Sequence, residues 1–175
     1  MIFGKANRPV VMGRNGMVSS GHYLASLAGV KVLQEGGNAV DAALAASLAL
    51  TVVTPETSGP GGDLFALVFM KKNGKVEALN ASGPAPRRAT VEFFHDRGMK
   101  KIPTDGALSI AVPGAVDGWT ELHHKYGTFD LARIAADAIA YARDGFPLYP
   151  RLAGRIAEIG NSYPWIDRCY RKPLG

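Results

Sequence analysis

The sequence predicts an α+β fold in which helices pack on a sheet. Three observations carry that reading: a pair of long helical stretches between residues 16 and 55, a two-strand hairpin directly after them, and a second helix pair beginning near residue 114. Helix pairs that alternate with a strand pair favour stacked layers, because a helix stripe and a sheet face each need apolar surface to bury against. No internal repeat, low-complexity tract or linker divides the chain, and 175 residues amount to one domain's worth of polypeptide.

The elements follow in order. "GMVSSGHYLASLAGVKVLQEGG" opens with a short extended segment and then spaces Tyr23, Leu27, Val30 and Leu33 as one face of an amphipathic helix, which Gly36 and Gly37 end. Asn38 caps a second helix and puts Asp41 at its third position, where a carboxylate complements the exposed amides of the first turn. "AVDAALAASLALTVV" is apolar on nearly every side, so this helix is expected to be buried between other layers, with Pro55 closing it. "DLFALVFMKKNGKVEALNAS" reads as a hairpin: an apolar strand, an Asn73-Gly74 turn suited to positive backbone angles, and a returning strand in which Val76 and Ala78 alternate with Glu77.

"GPAPRRAT" must be a loop, because its prolines restrict the backbone and lack amide donors, and a short helix over Val91 to Arg97 follows. "GALSIAVPGAVDGWTELHHKYG" suggests a strand, a Pro113-Gly114 break and a helix carrying Val116, Trp119 and His123. The next helix repeats Leu131, Ile134, Ala135, Ala138 and Ala142 on one face and stops at Gly145, with Pro147 behind it. The last segment, "RIAEIGNSYPWIDRCYRKPLG", is helical at first and then irregular, and it ends without a closing element.

Composition narrows the functions available. Hydrophobic content of 47% is enough for a substantial core. The net charge of +5 comes from dispersed basic pairs, Lys71-Lys72, Arg87-Arg88, Lys100-Lys101 and Arg171-Lys172, without the interleaved aromatics of a single-strand groove, so no nucleic-acid partner is expected. No segment has the roughly eighteen apolar residues of a membrane span, and the first residues lack a signal-peptide core; if Met1 is the native start, the protein is expected to stay in the cytoplasm. Cys169, the single cysteine, is read as structural.

The glycine stretch "SGPGGDLFALVF" resembles a phosphate-cradling loop only superficially. A P-loop needs a Lys-Ser/Thr pair opening a helix, and here a strand follows, so a turn that lets backbones approach closely is the better reading. Asp63, Asp105, Asp117, Asp130 and Asp144 stand beside glycines or at helix ends, where capping explains them. His22, His95, His123 and His124 show no metal-ligand spacing, and no Gly-x-Ser-x-Gly elbow occurs. No cofactor, metal or catalytic residue is therefore expected within the chain.

Longer blocks say more. "GMVSSGHYLASLAGVKVLQEGGNAVDAALAASLALTVVTPETSGPGGDLFALVF" resembles the amino-terminal signature of the gamma-glutamyltranspeptidase family, and "AVPGAVDGWTELHHKYG" and "AIAYARDGFPLYP" resemble later blocks, in family order from Gly16 to Pro150. The resemblance implies an N-terminal-nucleophile hydrolase with a four-layer αββα sandwich, made as a precursor that cuts itself into a large and a small subunit. The cut frees a threonine whose own α-amine takes the hydroxyl proton. Residues 1–175 then correspond to the amino-terminal portion of the large subunit, incomplete as a catalytic domain. Their partners are the rest of that subunit and the small subunit carrying the threonine. None of Thr51, Thr54, Thr57, Thr90, Thr104, Thr120 or Thr128 has the nucleophile's context, and Gly59, Gly61 and Gly62 are not the oxyanion glycines.

The resemblance also implies a substrate contact. After the hairpin the family carries an arginine that grips the α-carboxylate of the γ-glutamyl group, in a segment of the form Leu-Asp-x-Arg-Glu-x-Ala-Pro. The matching segment here is "LNASGPAP", which puts Ser82 in the arginine's place. Serine cannot offer the charged fork of a guanidinium. Ser82 with Asn80, Ala81 and Gly83 is the expected substrate-facing lip, and Arg87 and Arg88 are the residues that could restore the lost charge. The expected activity is amide hydrolysis or acyl transfer on small molecules lacking a free α-carboxylate, as in cephalosporin-acylase-like branches. Genuine γ-glutamyl chemistry through Arg87 or Arg88, and a non-catalytic fragment, are the alternatives.

Overall fold

The structure, a computed structural model, describes residues 10–104 and 106–162; Asp105, Cys169 and the irregular closing segment lie outside the described residues. The elements run α1 (Tyr23–Gln34), α2 (Ala39–Val53), β1 (Leu64–Met70), β2 (Lys75–Ala81), α3 (Val91–His95), a 3-10 turn (Ala107–Ser109), α4 (Ala115–Tyr126), α5 (Leu131–Asp144) and α6 (Pro150–Ser162). The fold is mixed helix and strand, as expected.

α2 is the centre of the molecule. Asp41, Ala42, Leu44, Ala45, Ala46, Ala49 and Val53 are all buried, which bears out the expectation of a helix enclosed between neighbours. Val32, Leu44, Trp119, Leu122 and Ile134 form the main core around it, and the inner face of the hairpin, Leu64, Ala66, Val68 and Leu79, closes over that core. α1 gives Val32 to that core and also meets α2 through a second buried cluster of alanines, Ala25, Ala28, Ala46 and Ala49.

The buried face of α1 is not the expected one. Leu24, Ala25, Ala28, Gly29 and Val32 face inward, while Tyr23 and Leu27 are exposed. Close backbone approach decides this: a Cβ on Gly29 would lie 2.8 Å from the carbonyl oxygen of Ala42, so α1 docks through its smallest residues. α4 behaves alike. Gly118 permits contact with the hairpin, where a Cβ would meet Ala81 and Leu64 at 2.7 Å, and Val116 is left outside while Trp119 is buried and donates its indole N–H to Ser47 Oγ at 3.0 Å. Of the face expected on α5, Ile134 and Ala138 are buried, while Leu131 and Ala142 extend beyond the contact and are exposed.

The hairpin is present in antiparallel register from Leu64↔Ala81 to Met70↔Lys75. Its turn is wider than a two-residue loop. The carbonyl of Met70 accepts from Gly74 N, only Gly74 takes a positive φ (68°), and Asn73 Oδ1 accepts from Lys75 N instead. On β2 it is Glu77, with Leu79 and Ala81, that turns toward the helices, and Val76 and Ala78 face outward. Glu77 fits there because Lys125 Nζ (2.6 Å) and Tyr126 Oη (2.7 Å) both reach its carboxylate, and they hold its carboxyl below the usual range. The strand expected within "GALSIAV" is absent. Ala107–Ser109 forms the 3-10 turn and the following residues are extended without a ladder; Val112 N donates to Pro84 O, but among the described residues no strand continues the pairing.

At the start of α2 the expected cap is a reciprocal box. Asn38 Oδ1 accepts from the amides of Val40 and Asp41, and Asp41 Oδ2 accepts from Asn38 N at 2.9 Å. Asp41 is more than an exposed capping charge, however. It is fully buried and also accepts from Thr128 N (2.9 Å), Thr128 Oγ1 (2.5 Å) and Phe129 N (3.4 Å), while Asn38 Nδ2 donates to Tyr126 O. One pair of side chains thus ties α2 to the loop between α4 and α5.

Candidate substrate-binding lip

The glycine loop, the exit of β2 and the start of α4 meet at one junction. The carbonyl of Gly62 accepts from Gly114 N (3.1 Å) and Ala115 N (2.9 Å), so the loop serves the first amides of α4. Asp63 Oδ1 accepts from Gly83 N at 3.2 Å and fastens the loop to the end of β2. Gly83 must be glycine for space: a Cβ there would lie 1.3 Å from Val112 O, and one on Gly114 would lie 2.2 Å from Ala81 O. "SGPGGD" is therefore a backbone clamp, in keeping with its reading as a close-approach turn.

The expected lip residues are held on this clamp. Asn80 Oδ1 accepts from both Ser82 N (2.9 Å) and Ser82 Oγ (2.8 Å), an Asx turn that fixes the serine just past the strand. Ser82 and Asn80 are exposed, and Ala81 and Gly83 are half-buried beside them. With its own proton engaged, Ser82 Oγ presents lone pairs outward, and Asn80 Nδ2 presents N–H donors. Both side chains are uncharged and able to hydrogen-bond.

Arg87 and Arg88 follow the lip in sequence. Both are exposed in the turn closed by Ala89 N on Pro86 O, and neither makes a hydrogen bond or ion pair among the described residues. The residue that sequence reading missed is Asp63, taken there as an ordinary loop aspartate. Counting the hairpin would have found it: the register pairs Leu64 with Ala81, so the preceding residue stands opposite Ser82. Where a carboxylate-gripping arginine is expected, the lip has serine, with a carboxylate across from it.

Six threonine hydroxyls are engaged: Thr51 with Leu48 O, Thr54 with Leu50 O, Thr57 with Thr54 O, Thr90 with Phe93 N, Thr120 with Val116 O and Thr128 with the Asp41 carboxylate. His123 Nε2 lies 2.8 Å from Phe129 O. Among the described residues no group of three His, Cys, Asp or Glu side chains is placed to hold a metal ion.

Comparison with known proteins agrees with this architecture. The family model for gamma-glutamyltranspeptidase matches residues 25–166. A glutathione hydrolase-like YwrD proenzyme of Bacillus subtilis (strain 168) is 43% identical over 139 residues, 79% of this chain and 26% of the relative. Among solved structures, gamma-glutamyltranspeptidase of Helicobacter pylori superposes with a TM-score of 0.83 at 36% identity, over 95% of this chain and 49% of that one. The cephalosporin acylase of Bacillus halodurans gives 0.78 at 39% identity, over 94% and 32%. The chain spans about a quarter of the length of the curated relative it matches. By the extent of the family match and the shared backbone arrangement, this chain belongs to the gamma-glutamyltranspeptidase family.

Proposed function

We propose that residues 1–175 are the amino-terminal portion of the large subunit of an amide-bond hydrolase or acyltransferase whose substrates lack a free α-carboxylate. The observation that carries the substrate half of this reading is the lip: Ser82 is bound to Asn80, with Asp63 across the strand pair, and among the described residues no Lys or Arg bonds to any of the three. The chemistry follows family logic. A threonine outside this chain attacks the amide carbonyl through Oγ, its α-amine takes the proton, the amine product leaves, and water or an acceptor amine receives the acyl group. Backbone amides stabilise the oxyanion, and no cofactor or metal is required.

The outer face of the hairpin supports the partner half. Phe65, Leu67, Phe69 and Val76 are each more than 60% exposed, a continuous apolar surface on the side away from the helices. Such a face is what a second sheet covers in a four-layer αββα sandwich. The rest of the large subunit and the threonine-bearing small subunit are the partners in this reading.

The test is to compare hydrolysis of a γ-glutamyl anilide with that of simple acyl anilides by the full-length gene product. Higher kcat/KM on the acyl anilides is expected, and a strong preference for the γ-glutamyl substrate overturns the substrate assignment. Ser82→Arg is expected to raise γ-glutamyl turnover by about tenfold or more, since a desolvated ion pair is worth about 2–5 kcal/mol. A second reading, γ-glutamyl specificity through Arg87 or Arg88, draws on the absence of any partner for either guanidinium among the described residues. It requires the Arg87→Ala, Arg88→Ala double variant to lose γ-glutamyl activity selectively.

A further inference from the structure

We infer that Asp63 sets the charge selectivity of the lip: its carboxylate turns away acyl groups that carry an anion of their own and leaves uncharged ones favoured. The inference rests on reading residues 80–83 as the substrate-facing lip, and it names the class of acyl group that lip accepts.

The hairpin register puts the aspartate there. Leu64 pairs with Ala81 and Phe65 with Asn80, so the next position outward sets Asp63 beside Ser82. Side chains alternate along a strand, and residues directly opposite each other share a face. Leu64 and Ala81 are the half-buried pair turned toward the helices, while Asp63, Phe65, Asn80 and Ser82 are exposed. Three polar residues of the lip therefore stand together at one end of the outer face.

Holding Asp63 in place does not need its charge. Oδ1 accepts from Gly83 N at 3.2 Å, and the side-chain oxygen of an asparagine would accept the same bond. No Lys or Arg among the described residues is paired with the carboxylate. Ser82 Oγ is already bound to Asn80 Oδ1, and neither of those side chains brings a positive charge to offset the aspartate. An anionic group resting on Ser82 thus meets a like charge one cross-strand neighbour away, about 5 Å between Cβ positions. Like charges at that separation repel, and an uncharged acyl group escapes the penalty.

The test measures kcat/KM of the full-length gene product for propionyl and succinyl anilides, which differ by one terminal carboxylate. The wild type is expected to prefer the propionyl substrate by about fivefold or more, chiefly through KM, and the gap should close as salt screens the charge. Asp63→Asn keeps the acceptor for Gly83 N and removes the charge, so the preference should shrink by about fivefold and lose its salt dependence. Asp63→Ala should also shrink it, while lowering kcat on both substrates because the tie to Gly83 is gone. The salt response of the wild type reads the same charge without any variant.

A purely structural role gives a different result. Gly62 O accepts from the first amides of α4, and a neighbouring carboxylate that only complements that helix start would affect melting temperature alone. A substrate ratio and salt response in Asp63→Asn equal to the wild type's overturn the inference, as does a wild type that takes both anilides equally. Ser82→Arg separates this from failure of the lip, since an arginine that faces substrate should raise succinyl turnover. If Ser82→Arg acts and Asp63→Asn is silent, the lip stands and the charge assignment falls; if both are silent, both fall.

Discussion

Replacing Asp41 with alanine is expected to destabilise the full-length protein by about 3 kcal/mol or more, read as a large fall in melting temperature. The carboxylate is fully buried, and its loss strands the amides of Asn38 and Thr128 and the Thr128 hydroxyl away from water. Asp41→Asn is expected to recover only part of the loss, because an amide has one acceptor oxygen and would aim an N–H at groups that themselves donate. Thr128→Val should be milder, and in a double-mutant cycle with Asp41→Ala it should be strongly non-additive, because the two substitutions remove one shared contact.

The same residue makes an acid-sensitive joint. Burial by itself pushes the Asp41 carboxyl up, but the Thr128 hydroxyl and the amides of Asn38, Thr128 and Phe129 together outweigh it and hold the group below the usual carboxylate range. The native state then binds this proton less readily than the unfolded chain does. The stabilisation is therefore fully present above the unfolded value of about 3.9 and is lost as pH falls through the lower native value. Unfolding curves between neutral pH and pH 3 should show this loss in the wild type, and a shallower acid slope in Asp41→Asn.

Gly83→Ala is expected to cost about 1–3 kcal/mol or more and to abolish acyl-anilide hydrolysis in the full-length gene product. The methyl would have to occupy the position of Val112 O, so either β2's exit or the extended segment leading into α4 must move, and Ser82 and Asn80 move with it. Gly61→Ala is the control. Nothing lies within 4 Å of a Cβ at Gly61, and its stability and kcat/KM should stay close to wild type. Equal tolerance of the two substitutions would mean that the junction does not position the lip.

Much of the fold was legible because its signals are local. Asn38 caps its helix where spacing placed it, and the hairpin formed where an apolar run met Asn73-Gly74. The lip at Asn80 and Ser82 was legible only through family resemblance, since neither residue carries chemistry in isolation. Less was legible where two segments distant in sequence meet. Leu24 replaced Leu27 on the inner face of α1 because α2 presents Ala42, Ala46 and Ala49, and small residues are nearly silent in a hydrophobic period. The segment expected as a strand within residues 106–112 found no ladder partner, a property of its neighbours rather than of its composition.

Read alone, the sequence determined the helices α1, α2, α4 and α5, the hairpin between them and the family they resemble. Those properties follow from side-chain periodicity, capping groups and turn residues acting over a few positions. Only the tertiary structure decided which faces are buried and what the carboxylates do. Asp41, Asp63 and Glu77 look alike in the sequence, yet one is a buried tie, one a backbone clamp and one an ion-pair partner on the inner face of the sheet. The difference arises because hydrogen bonds and close packing act within about 3–4 Å, and chain folding alone brings the deciding donors to that distance.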